Sequence, residues 1–132
     1  MRVKFAHTVI FVKDIEVSRK FYAELLGIKI IQDHKIFLFF EGNFALHQAK
    51  ELENTIFKRE VKGDSDLQGR NNIDIYFECN EIEKIYARLE ENHIRFIHSI
   101  EKQPWGQNVF RFYDPDLHII EIGEPSFKTF DE

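Results

Sequence analysis

FYDPDLHIIEIGE, residues 112–124, contains one residue out of keeping with its neighbours. Asp114-Pro115-Asp116 is a turn signal, and the Ile119-Ile120-Glu121-Ile122 run after it reads as a buried strand carrying a carboxylate. Such a charge is costly unless something pairs with it. Working outward, NVFRFY (108–113) and RFIHSIE (95–101) read as the preceding strands. Before them, Ile82, Ile85, Tyr86 and Leu89 form a helical stripe entered through an Asn80-x-x-Glu83 capping arrangement. NIDIYFEC (72–79) opens the block as another strand. The order is β-α-β-β-β.

The first half of the chain has the same order. VKFAHTVIFV (3–12) is strand-like, and Asp14 caps a helix bearing Ile15, Ser18, Phe21, Tyr22, Leu25 and Leu26, closed by Gly27. IKIIQ (28–32), KIFLFFE (35–41) and FALHQA (44–49) follow as strands, with Gly42-Asn43 as a hairpin turn. The fold class is α+β, two tandem βαβββ modules in one domain over 1–132: a first module at 1–49, a linker at 50–70 and a second module at 71–125. The linker, KELENTIFKREVKGDSDLQGR, is charged and contains glycine, with Ile56 and Phe57 free to dock.

Composition removes several function classes. A net charge of −5 without a Lys/Arg cluster gives no nucleic-acid footprint. Cys79 is the single cysteine, so no intramolecular disulfide forms and a reducing, cytoplasmic setting is expected. No apolar run reaches membrane-spanning length, and residues 1–14 read as a strand and not as a signal peptide. The 14 phenylalanines point to an aromatic interior.

The repeat identifies residues for chemistry. Asp74 lies 67 residues after His7, and aligning the two closing strands by their ends sets His47 against Glu121. If the two sheets curl around a shared cavity, these two imidazoles and two carboxylates suit a divalent metal such as Zn, Ni, Mn or Fe. The bland reading makes the histidines hydrogen-bonded structural residues and puts Asp74 on a wet sheet face. His34, His93, His98 and His118 read as surface or turn residues, and Cys79 as an apolar filler. Trp105, in QPWGQ, is either core or the rim of a cavity.

The paired modules, KDIEVSRKFYAELLGIKI (13–30) and FYDPDLHIIEIGE resemble the vicinal oxygen chelate superfamily over nearly the whole chain outside the linker. It includes glyoxalases I, fosfomycin-modifying thiol transferases, methylmalonyl-CoA epimerases, extradiol dioxygenases and bleomycin-binding resistance proteins. The resemblance implies metal ligands at His7, His47, Asp74 and Glu121. Asp74 departs from the usual His, Phe11 stands where bacterial glyoxalases I carry an arginine, and Leu117-His118 replaces Gly-Asn. It implies a glyoxalase-like lyase or isomerase. Its metal would stabilise an enediolate, Glu121 or Asp74 would serve as base, and Phe11, Tyr76 and Trp105 would wall a small-molecule site. The alternative is an antibiotic-binding protein without chemistry. Either is expected to be a homodimer.

Overall fold

The computed structural model describes residues 1–60 and 62–125, which divide into two compact units, Met1–Gln68 and Gly69–Glu132. In the first, β1 (Thr8–Val12) leads into α1 (Ile15–Arg19), which widens into a π-helical turn at Lys20–Leu25. β2 (Ile30–Asp33), β3 (Phe37–Phe40) and β4 (Phe44–Gln48) follow, then α2 (Ala49–Phe57). In the second, β5 (Asp74–Glu78), α3 (Ile82–Glu91), β6 (Phe96–Lys102), β7 (Asn108–Tyr113) and β8 (Ile119–Gly123) repeat the order. The sheets run β1-β4-β3-β2 and β5-β8-β7-β6, each with its first and last strands parallel neighbours. This is the βαβββ module twice.

Local chemistry accounts for the elements. Asp14 accepts the amides of Glu16 and Val17, a cap worth about 1 kcal/mol. Gly27, at φ +74°, ends the helix while the Ile28 amide bonds back to the Tyr22 carbonyl. Phe40 pairs with Phe44 across a three-residue loop, Glu41-Gly42-Asn43, in which Gly42 and Asn43 both take positive φ. Alternation then sorts the side chains. Phe40 and Phe44 stack at 4.9 Å beside Tyr22 in the first unit, and Tyr86 of α3 meets Phe110 edge-on at 5.0 Å in the second.

Three sequence expectations need correction. The 50–70 segment is not all linker, because α2 occupies Ala49–Phe57. Its start carries no side-chain cap, so the usual start signal is missing. Ile56 and Phe57 are exposed, the latter under the Arg59 guanidinium. The Asn80–Glu83 capping box does not form: Glu81 is the residue before α3, and its amide is met by the Cys79 sulfur. Finally, β1 begins at Thr8, five residues later than its sequence pattern suggests.

The Asp114–Asp116 turn is built as a lock. Asp114 Oδ1 accepts the Asp116 and His118 amides, and Oδ2 lies 2.9 Å from His118 Nδ1. His118 is therefore buried, contrary to a surface reading. Leu117 is held at φ +66°, a conformation that glycine takes more readily than leucine. Gly69 passes beneath this turn, its amide donating to the Asp116 carbonyl. A Cβ at Gly69 would fall 2.0 Å from the Leu117 carbonyl oxygen. Gly69→Ala must therefore shift backbone, and we expect a loss of roughly 1–3 kcal/mol in urea unfolding. An unchanged midpoint would remove this crossing from the account.

Candidate active site on the second sheet

Glu121 faces away from α3. Ile120 and Ile122 take the helix side of β8, which leaves Ile119, Glu121 and Gly123 on the opposite face. Directly across from Glu121 stand Arg111 on β7 and Tyr76 on β5, with Asp74 one diagonal step away. The strand pairing thus gathers three polar side chains around one carboxylate.

Arg111 gives Glu121 its partner. Its Nε donates to Glu121 Oε1 at 2.9 Å, with the Glu121 side chain only 9% exposed. Arg111 Nη1 donates to His98 Nε2 at 3.0 Å, and His98 Nδ1 donates to the Ser99 carbonyl at 2.7 Å. A guanidinium can only donate and a carbonyl can only accept, so these two contacts call for the hydrogen of His98 on Nδ1 and an accepting Nε2. His98 is therefore a site residue and not a surface one. The polar row crosses the whole sheet: His98, Arg111, Glu121, Asp74.

On the far side of Glu121, Asp74 forms a carboxyl–carboxylate hydrogen bond with it. One of two bonded carboxyl groups must hold a proton. Asp74 lies on the exposed face of β5, as the bland reading expects, but the partial desolvation it does suffer, then the hydrogen bond and negative charge of Glu121, push it up to about 7. Burial also opposes ionisation of Glu121, but the hydrogen bond from Asp74 and the Arg111 guanidinium outweigh it and hold Glu121 below its ordinary value. Two like groups are driven apart by their surroundings, the pattern of acid–base sites. Below about pH 7 Asp74 therefore holds its proton more readily than Glu121 does.

The other anticipated residues are placed as follows. Tyr76 lies on the face of Glu121, and Trp105 is on the β6–β7 hairpin, 64% exposed and not in the core. His7, Phe11 and His47 belong to the first unit. There the His7 ring meets Phe39 edge-on at 5.0 Å, and His47 donates from Nδ1 to the Gln48 carbonyl at 2.9 Å. His47 pairs with Phe11. The repeat that matches Asp74 to His7 turns the observed Tyr76–Glu121 pair into Val9–Ala45. Ala45, not His47, therefore occupies the place of Glu121, and His47 corresponds to Gly123. Among the described residues, no three His, Cys, Asp or Glu side chains gather closely enough to hold a metal ion.

With this geometry in place, comparison with known proteins is direct. The sequence matches the glyoxalase-like domain over residues 5–126. The chain belongs to that family. This glyoxalase-like protein is 40% identical to a structure of a protein of unknown function from Agrobacterium tumefaciens, with 96% and 97% of the two chains covered and a TM-score of 0.87. It resembles a lactoylglutathione lyase structure from the same organism at TM-score 0.71 and 19% identity, covering 98% of this chain and 99% of that one. A Bacillus subtilis protein, YetH, is 24% identical over 87% of this chain and 92% of its own length. Two βαβββ modules, the vicinal oxygen chelate fold, are what the structural matches share with this glyoxalase-like protein. Among its described residues no helix is long and apolar enough to cross a membrane.

Proposed function

We propose that this glyoxalase-like protein is a lyase or isomerase acting on a small carbonyl compound with vicinal oxygens, moving a proton next to the carbonyl through Asp74 and Glu121. The observation that carries the reading is the carboxyl pair beside a fixed guanidinium. Asp74 titrates where a general base works best at neutral pH. Once ionised, it can take the proton from the carbon beside the carbonyl and return it to the neighbouring carbon, while the hydroxyl proton passes to the former carbonyl oxygen. Glu121 holds the resulting acid by hydrogen bond. Of the five N–H groups of Arg111, three point at Glu121, His98 and Gln103. The remaining two supply donors for an oxygen that gains negative charge.

Zn, Ni, Mn or Fe on His7, His47, Asp74 and Glu121 was the expected cofactor arrangement. The second unit's pair does not fit a divalent ion as it stands. Glu121 is already neutralised by Arg111 at 2.9 Å, so a divalent ion would have to displace the guanidinium to take that carboxylate. The register shift of His47 removes the symmetry that recommended the set. Plasma mass spectrometry on untagged protein, after loading with each of the four ions, is expected to find far less than one ion per chain. Stoichiometric binding that is lost in His7→Ala would restore the four-ligand site.

The test of function is exchange. Incubated in deuterium oxide with hydroxyacetone, the protein is expected to exchange the carbon-bound protons beside the carbonyl, followed by proton NMR. Absence of exchange with tight binding of the same compound would instead favour the antibiotic-binding reading, which the exposed rings of Tyr76 and Trp105 support. We further propose a homodimer, because both sheets end in edge strands, β1 and β2 in one and β5 and β6 in the other.

A further inference from the structure

Tyr76 and Trp105 are the large rings near the carboxyl pair, and one side chain holds both. Gln107 Oε1 accepts from the Trp105 indole at 2.8 Å. Its Nε2 donates to the Tyr76 hydroxyl at 2.7 Å and to the Glu124 carbonyl at 2.6 Å. The Tyr76 hydroxyl in turn donates to Glu78. Every polar handle of the two rings is thereby occupied, yet Tyr76 and Trp105 remain 44% and 64% exposed. What they present is mostly ring surface. An exposed indole is ordinarily free to turn, whereas this one is fixed at its nitrogen and anchored to the strand that pairs with Glu121.

Room for this arrangement comes from Gly123. Tyr76 and Gly123 share the face of Glu121, and a Cβ on Gly123 would fall 2.5 Å from Gln107 Nε2 and 3.0 Å from the Tyr76 oxygen. The obstructing atoms are the ends of side chains. An alanine would therefore displace Gln107 without moving the strand.

We infer that Gln107 is a positioning residue that sets substrate class: with Gly123 as clearance, it fixes Trp105 and Tyr76 as an aromatic rim beside Asp74 and Glu121 that selects a carbonyl compound bearing a flat aromatic group. The inference rests on the proposed function and narrows it. A ring stacked on this rim gains from contact geometry as well as from buried area. A freely turning Trp105 would lose part of that gain to ordering.

The experiment compares two α-hydroxy ketones, α-hydroxyacetophenone and hydroxyacetone, by calorimetry. Steady-state anisotropy of Trp105, the single tryptophan, is followed in parallel. The parent is expected to bind the aryl compound about tenfold tighter or more, and Gln107→Ala and Gly123→Ala to cut that preference to about threefold or less. Both variants should keep the hydroxyacetone affinity and the parent's melting midpoint, with lower Trp105 anisotropy. A merely structural Gln107 would move the melting point and both affinities together, which overturns the inference. So does a parent that binds both ketones equally, although the proposed function then stands. A parent that binds neither and exchanges no protons removes the proposed function, and the inference with it. A Trp105 signal that follows protein concentration and not ligand assigns the rim to a second copy of the chain, again overturning it.

Discussion

Asp74→Asn is expected to lower the rate of α-proton exchange by roughly 10²–10⁴-fold, the usual contribution of a positioned general base. Asparagine keeps the size of the side chain and still donates a hydrogen bond to Glu121, so folding should survive. The parent's rate should rise as Asp74 ionises, with a midpoint at about pH 7, while the variant's residual rate should be flat through that range. Stability carries the opposite signature. Asp74 is raised from an ordinary 3.8 to about 7, so the folded form holds its proton more tightly than the unfolded chain does. Its contribution is complete below about pH 3.8 and is lost as the pH rises through about 7. Glu121 runs the other way, because its value is lowered and its contribution is lost as the pH falls. Urea titrations at several pH values on parent and Asp74→Asn separate the two. A parent rate independent of pH between 5.5 and 8.5, on the order of a unit and a half either side of that midpoint, would remove Asp74 from the role of base.

Arg111→Ala is expected to be the most destabilising single change at the site. It leaves the nearly buried Glu121 with no cation and deprives His98 of its donor. Breaking a fully buried pair costs about 3–5 kcal/mol. Arg111 is 27% exposed, and water screens part of that, so a loss of roughly 1–3 kcal/mol is expected. Arg111→Lys should recover only part of it, since one ammonium cannot reach Glu121, His98 and Gln103 as a planar fork does. The same substitution tests why metal does not fit. With the guanidinium gone, Glu121 regains an uncompensated charge, and the alanine variant should take up divalent ions that the parent refuses. Removing a cation that lowers Asp74 should also move the exchange midpoint upward. An alanine variant as stable as the parent, with an unmoved midpoint, would show that Arg111 and Glu121 are not coupled.

Much of this was legible in the residues. Alternation in NVFRFY and HIIEIG, the Asp114–Asp116 turn, and the helical stripes at 15–26 and 82–89 fix both modules, because each period is a local geometric fact. Arg111 could have been found the same way. Asp116 is the centre of the turn, and Arg111 and Glu121 lie equally far from it on either side, so a symmetric hairpin sets them opposite one another. The helix Ala49–Phe57 gave no comparable warning, since nothing in its side chains caps its start.

Other features depended on pairing between distant strands. Strand ends misplace His47 by two residues, because only the ladder with β1 shows it opposite Phe11 and Ala45 in the place of Glu121. A two-residue shift keeps the face while moving a side chain about 7 Å along the strand, enough to break a ligand set. The protonation of Asp74 likewise has no sequence signature. It follows from a carboxylate on β8 and partial desolvation, two quantities that exist only once the sheet has formed. By itself the sequence determined the modules, the family resemblance and the odd carboxylate at 121. The tertiary structure decided what that carboxylate faces, since a charge is set by its neighbours in space.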